Sequence, residues 1–421
     1  MRSFLNKSVM AALLLCFLPL TGSAPYPVDG YETTGIRRLV AVQRIVDGQK
    51  SGTKPPPGAL KSIQDIALHL DSQERHLSVL PAADPALTKA INAIFPGLDA
   101  NYSVSVLDIT EGRPVRYAER RAEVGYQPGS VGKIAVLAGV MSELEALYPF
   151  SFERRQALMR DRKVLAGKWA MSDHHTVPIY DPETDTMVKR TVRETDVFSL
   201  YEWVDHMMSV SNNGAASVVW REAVLMRVFG QEYPALTQES ADAYFRSTPK
   251  AELSRIANDV VNAPLRKIGI SSDEWRLGSF FTQGAGSFIP GIGGSIGTTR
   301  GLIKFLMRLE TGSVIDQESS LEMKRMMYMT DRRIRYAASP RLSNAAVYFK
   351  SGSLYSCKAE EGFKCVKYAG NVRNFMNSVA IVEHPDGSTY MVVLMSNVLK
   401  KNSASDHMEL AASIDRIVRT G

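Results

Sequence analysis

Strand patterns in this chain fall at the two ends of one long region, with helical patterns between them, and this arrangement constrains the fold most. After Asn101, "YSVSVLDI" sets Tyr102, Val104 and Val106 against Ser103, Ser105 and Leu107, the period-two signature of a strand. "EGRP" then reads as a turn, and a second strand runs through Val115 and Tyr117. Three more strands close the chain, "AAVYFK", "FMNSVAIVE" and "TYMVVLMSN", the last two joined by the turn "HPDGS". Strands bury their edges only by pairing, so the simplest assembly is one antiparallel five-stranded sheet that joins both ends of the region. The intervening sequence predicts helices over 134–147, 197–209 and 213–229, a mostly helical stretch over 237–275, and a helix capped by Thr298 or Thr299. A final helix over 404–420 places Leu410, Ala411, Ile414, Ile417 and Val418 on one face. The expected fold is α/β (α+β): an antiparallel five-stranded sheet flanked by helices, with a helical lobe from the middle of the chain. With 45% hydrophobic and 22% charged residues, the 421-residue chain can bury the core this needs.

Three segments follow from composition. Residues 1–24 have the pattern of an export signal: a basic start at Arg2 and Lys7, an apolar stretch from Val9 to Leu20, and small residues at Gly22-Ser23-Ala24. Residues 25–95 read as an N-terminal extension whose "KSGTKPPPGAL" forms a turn-rich loop flanked by short helices. Residues 96–421 hold the strand and helix pattern described above. No segment after the signal approaches a membrane span. Removal of the signal takes Cys16 with it and leaves Cys357 and Cys365, which in an oxidising compartment are expected to form a disulfide. The net charge of +6 is spread along the chain without basic blocks, which argues against nucleic acid as a partner. His174-His175 lacks the helical spacing of a metal site, so no metal is expected.

The stretch "YQPGSVGKIAVLAGVM" carries the first chemical signal. It is not a phosphate-binding loop, because Gln127 stands where that motif needs its first glycine and Ile134 where it needs a hydroxyl. What remains is Ser130 and Lys133, three residues apart at the start of a long apolar helix. That spacing puts both side chains on one face of the first turn. The helix N-terminus favours negative charge developing on the serine oxygen and disfavours an extra proton on the lysine. Two other Ser-x-x-Lys matches, Ser51/Lys54 and Ser247/Lys250, run into or contain prolines and open no such helix. A second element, "SNNGA", places Ser211 and Asn213 in a turn between two helices. A third, "FKSGS", places Lys350, Ser351, Gly352 and Ser353 on a strand near the end.

Serine–lysine, then Ser-x-Asn, then Lys-Ser-Gly on a late strand is the order found in the penicillin-recognising serine enzymes. Over residues 96–421 the chain resembles the serine β-lactamase and penicillin-binding protein superfamily, and most of all the class A β-lactamases. The resemblance implies that Ser130 is the acylated nucleophile and Lys133 its general base. It implies that Ser211 passes a proton to the leaving nitrogen, and that Asn213 holds Lys133 and the substrate amide. Lys350 and Ser351 would meet the substrate carboxylate, and Gly352 would let substrate approach the strand. The backbone N–H groups of Ser130 and Ser353 would form the oxyanion hole. The implied partner is a small molecule, a β-lactam or a peptidoglycan stem peptide. No cofactor and no stable membrane span are implied, and the expected location is secreted or periplasmic.

The chain departs from the class A pattern in one place that matters. No Glu-x-x-Leu-Asn occurs between Ser211 and Lys350, and Phe280, Phe281, Thr282 and Gln283 stand where the water-activating carboxylate is expected. Acylation without that carboxylate predicts slow deacylation, unless Glu274 or an acid from the 160–195 insertion takes its place. A second insertion, between Lys350 and Pro385, holds both cysteines and should flank the cleft. The expected activity is that of an exported serine hydrolase of β-lactamase or D,D-peptidase type. A non-hydrolytic penicillin-binding or sensor protein is the alternative. An esterase or glutaminase on the same scaffold is a third.

Overall fold

A computed structural model describes residues 26–329 and 333–420. The expected export signal and Cys16 lie outside the described residues. The five-stranded sheet forms as anticipated. Its strands are β1 (Tyr102–Asp108), β2 (Arg116–Arg120), β3 (Ala346–Ser356), β4 (Arg373–Glu383) and β5 (Thr389–Asn397). The spatial order is β2-β1-β5-β4-β3, and every neighbouring pair is antiparallel. β1 pairs with β5 from Tyr102–Ser396 to Asp108–Tyr390, so the two chain ends meet at the centre of the sheet. β3 lies at one edge, where Tyr328 bridges Tyr348 and the Met329 N–H donates to the Val347 carbonyl at 2.9 Å.

Both faces of the sheet are covered. On one face Val104, Val106, Val392 and Leu394 pack with Leu410, Ile414 and Val418 of the terminal helix Ala404–Thr420, and with Leu87 and Ile91 of helix Pro85–Asn92. On the other face Leu107, Val379, Ile381, Val393 and Met395 join the lobe core. Ser103 and Ser105 are fully buried on that side, and their hydroxyls are satisfied by Tyr126 and Thr299. Buried hydroxyls need such partners, which is why the polar half of the β1 pattern does not mark a solvent face.

The lobe is built around the helix Lys133–Leu147, nearly all of which is buried. It packs against helices Leu200–Met208, Asn213–Phe229 and Lys250–Lys267. Trp220 stacks on Phe280 at 4.2 Å and Trp169 on Phe288 at 4.6 Å, which holds the loop around Phe280 and Phe281 against the lobe.

The N-terminal extension wraps this body. Tyr26 is buried, and its hydroxyl donates to the buried Glu322. Arg38, on helix Arg38–Val46, makes a bidentate ion pair with Asp205 where both side chains are almost completely buried. Burial pushes the Asp205 carboxyl up to about 6 despite the guanidinium beside it. Lys324 is wholly buried between Glu310 (2.6 Å) and Glu383 (2.7 Å), and His69 of the extension reaches Glu383 at 2.9 Å. These pairs bridge segments far apart in sequence and fix the extension to both lobe and sheet.

Candidate functional site

Ser130 sits in a short 3-10 turn, Gly129–Gly132, that leads straight into the helix beginning at Lys133. The turn needs Gly129, whose φ is +54°. It is pressed against β3: a Cβ added at Gly352 would lie 2.1 Å from the Pro128 carbonyl oxygen and 3.0 Å from the Ser130 nitrogen. The family resemblance implies that Gly352 admits substrate. The structure adds that the space beside it is taken by the chain's own nucleophile turn.

Lys133 is the centre of the site. It is fully buried, and its Nζ contacts Ser130 Oγ at 3.0 Å, the Ser211 carbonyl at 2.6 Å, Ser211 Oγ at 3.3 Å and Asn213 Oδ1 at 2.7 Å. Burial pushes the amine down to about 7, against an opposing pull from the Asp173 charge. A lysine whose pKa lies near neutral is unprotonated in a large fraction of molecules, which is the form a base requires. The face of Phe281 lies 5.1 Å from Nζ. Ser211 has a φ of +59°, a left-handed conformation that costs a non-glycine residue of order 1–3 kcal/mol. Its surroundings hold it there, because both its carbonyl and its hydroxyl meet Lys133. Lys350 Nζ on β3 reaches Ser211 Oγ at 2.8 Å and the Ser351 carbonyl at 3.1 Å.

The structure therefore brings Ser130, Lys133, Ser211, Asn213, Lys350, Ser351, Gly352 and Ser353 together, although they come from three separate stretches. All but the buried Lys133 line a cleft of about 510 Å³, which Ser130, Asn213 and Ser353 border, or a smaller one of about 100 Å³, which Ser211, Lys350, Ser351 and Gly352 border. Cys357 and Cys365 form the expected disulfide, with Cα atoms 6.1 Å apart, in the loop that follows β3. That loop carries Lys367 and Tyr368 to the cleft wall, where Tyr355 and Tyr368 meet edge to face at 6.0 Å.

Several functional candidates were not legible beforehand. Arg335 donates to the Gly352 carbonyl at 2.8 Å and to Ser353 Oγ at 3.1 Å, and it places a guanidinium at the smaller cleft. Arg373, the first residue of β4, is exposed and reaches Ser356 Oγ at 3.4 Å. From the 160–195 insertion, Asp173 caps helix Asn213–Phe229. Its carboxylate accepts from the backbone N–H groups of Asn213 (2.6 Å) and Gly214 (3.3 Å) and from Asn213 Nδ2 (3.2 Å). Burial pushes the Asp173 carboxyl up, but the His175 hydrogen bond and charge and the surrounding amides outweigh this and hold it at about 2. No sequence signal marks Asp173 or His175, because their importance depends on what the fold brings beside them.

Phe280 and Phe281 line the larger cleft, as their alignment with the missing glutamate anticipates. Glu274 is not a substitute: it is paired with Lys304 and accepts from the Ser271 backbone N–H at 2.9 Å, outside the cleft. No carboxylate lines either cleft among the described residues.

A model of the β-lactamase enzyme family matches residues 86–419. Among solved structures, the fold is similar to a representative class A β-lactamase from Bacteroides cellulosilyticus (16% identity, 79% of this chain and 96% of that one, TM-score 0.50). It is also similar to a variant of the last common ancestor of Gram-negative bacteria class A β-lactamase (17%, 80% and 97%, TM-score 0.50). The TLA-3 extended-spectrum β-lactamase is a third (14%, 79% and 98%, TM-score 0.51). A comparison with curated protein sequences finds no match. On the match across most of its length, and with a fold shared with class A enzymes, the chain belongs to the β-lactamase enzyme family.

Proposed function

We propose that the protein is an exported active-site-serine hydrolase that is acylated at Ser130 by β-lactams or D-alanyl-peptide-like amides. The observation that carries this is the buried Lys133 amine, 3.0 Å from Ser130 Oγ and held by Ser211 and Asn213. In its neutral form Lys133 takes the Ser130 proton as Oγ attacks the amide carbonyl carbon. The developing oxyanion is met by backbone N–H groups of Ser130 and Ser353. Ser211, between Lys133 and Lys350, relays a proton to the leaving nitrogen as the C–N bond breaks. Lys350, Ser351 and Arg335 gather donors and positive charge where a substrate carboxylate would sit. Export follows from the pattern of residues 1–24. Among the described residues, no helix is long and apolar enough to cross a membrane.

The test is covalent labelling with a fluorescent penicillin, followed by intact mass. Native protein should gain one adduct, mapped to Ser130, and Ser130→Ala should gain none while keeping its circular dichroism. Labelling that persists in Ser130→Ala refutes the assignment. The absence of a carboxylate in the cleft favours a second reading, a penicillin-binding or sensor protein that acylates without turning over. A stable adduct with no cephalosporin hydrolysis would select it.

A further inference from the structure

Cleavage of an acyl-serine ester needs a base to activate water, and the residues at the usual position are phenylalanines. A different base faces the same cleft. His175 lines both parts of it, together with Ser130. Its position is set at three points. The backbone N–H donates to Asp173 Oδ1 at 3.2 Å, the carbonyl accepts from Asn212 Nδ2 at 2.9 Å, and ring Nδ1 meets Asp173 Oδ1 at 2.6 Å. Asp173 is itself fixed by the first amides of helix Asn213–Phe229 and by Asn213 Nδ2, whose Oδ1 holds Lys133. The imidazole is thus locked to the same asparagine that positions the acylating lysine. In the neutral imidazole, a carboxylate on Nδ1 favours the tautomer with the proton on that nitrogen, which leaves the lone pair on Nε2. Among the described residues Nε2 has no hydrogen-bond partner, and the side chain is 43% exposed at the cleft.

We propose that His175, oriented by Asp173, is the general base for deacylation. This rests on acylation at Ser130 as proposed above. Nε2 takes a proton from a cleft water while the water oxygen bonds to the acyl carbonyl carbon. The tetrahedral intermediate then collapses with cleavage of the bond to Ser130 Oγ, which takes the water-derived proton from His175. The acid leaves as carboxylate and its proton passes to solvent, which returns His175 and Lys133 to their neutral forms, and water is the only co-reactant. Asp173 stays ionised throughout and acts as a positioning residue. The arrangement does the work of the missing glutamate from the same cleft, through the insertion at 160–195.

The experiment separates the two half-reactions. Rapid-quench mass spectrometry with a chromogenic cephalosporin gives the rates at which the Ser130 adduct forms and decays, in native protein, His175→Asn and His175→Ala. His175→Asn can keep a hydrogen bond to Asp173 but cannot take the proton. Both variants should form adduct within about threefold of the native rate and lose it about 100- to 10,000-fold more slowly. Added imidazole should speed decay in His175→Ala, a result that a merely structural role would not produce. Unchanged decay in His175→Asn overturns the proposal, as does a parallel fall in both rates or a native adduct that persists for hours. Failure of native protein to form any Ser130 adduct is a separate outcome: it refutes acylation itself, and the base role falls with it.

Discussion

Placing a carboxylate at Phe281 should move the pH dependence of acylation by a calculable amount. Lys133 acts as a base only when neutral, and its pKa of about 7 is set mainly by burial. Acylation by native protein should therefore rise about tenfold per pH unit up to roughly pH 7 and then level off. The Phe281 ring centre lies 5.1 Å from Nζ. In Phe281→Glu a negative charge about 5 Å from the amine, at an effective dielectric constant near 20, favours the ammonium by about 3 kcal/mol. That raises the lysine pKa by about 2 units. The sign is fixed: an added anion stabilises the protonated amine, so the limb moves alkaline. At pH 7 the neutral fraction should drop from about a half to about one in a hundred, and acylation should slow about 50-fold. Near pH 10 the variant and native rates should converge, which separates the effect from misfolding. Stopped-flow measurement of the acylation burst from pH 5 to 10 gives both midpoints. A midpoint unchanged to within half a unit, or a rate deficit that persists at pH 10, would refute Lys133 as the base.

Three further perturbations test other parts of the structure. Gly352→Ala forces a methyl group against the Pro128 carbonyl and the Ser130 turn, and a displacement near 1 Å should cut acylation at least about 100-fold, measured by penicillin labelling of folded protein. Replacing Cys357 and Cys365 by alanine releases a loop worth about 2–3 kcal/mol in chain entropy. Amide exchange around Lys367 and Tyr368 should rise by about 30- to 150-fold and KM should increase more than kcat falls. Arg38→Ala leaves the Asp205 carboxylate buried without its partner and should destabilise the protein by about 3–5 kcal/mol in denaturant unfolding at pH 8, although Arg38 lies far outside the cleft.

Local order in this protein was written in local sequence. The alternation in "YSVSVLDI", the apolar run after Lys133 and the face Leu410-Ile414-Val418 each repeat with the period of the element they form, so β1, the Lys133–Leu147 helix and the terminal helix could be read directly. Ser130 and Lys133 were equally legible, because three residues along a helix start guarantee proximity whatever the rest of the chain does. Placing Ser211 and Lys350 at the same point took the resemblance to a known family, since their spacing in sequence says nothing about a meeting 139 residues apart. Tertiary structure alone decided the rest. Burial, not residue type, sets the Lys133 amine near neutrality. Asp173 and His175 sit in a turn-rich insertion with no periodicity, and they become a dyad at the cleft only because the first amides of helix Asn213–Phe229 point at that carboxylate. Arg335 reaches Gly352 and Ser353 from the 3-10 turn Arg335–Ala338, a contact that no local pattern specifies. By composition the stretch 25–95 reads only as an extension with a turn-rich, proline-containing loop. Yet Arg38 pairs with Asp205, 167 residues away, because two opposite charges that are both removed from water must meet each other.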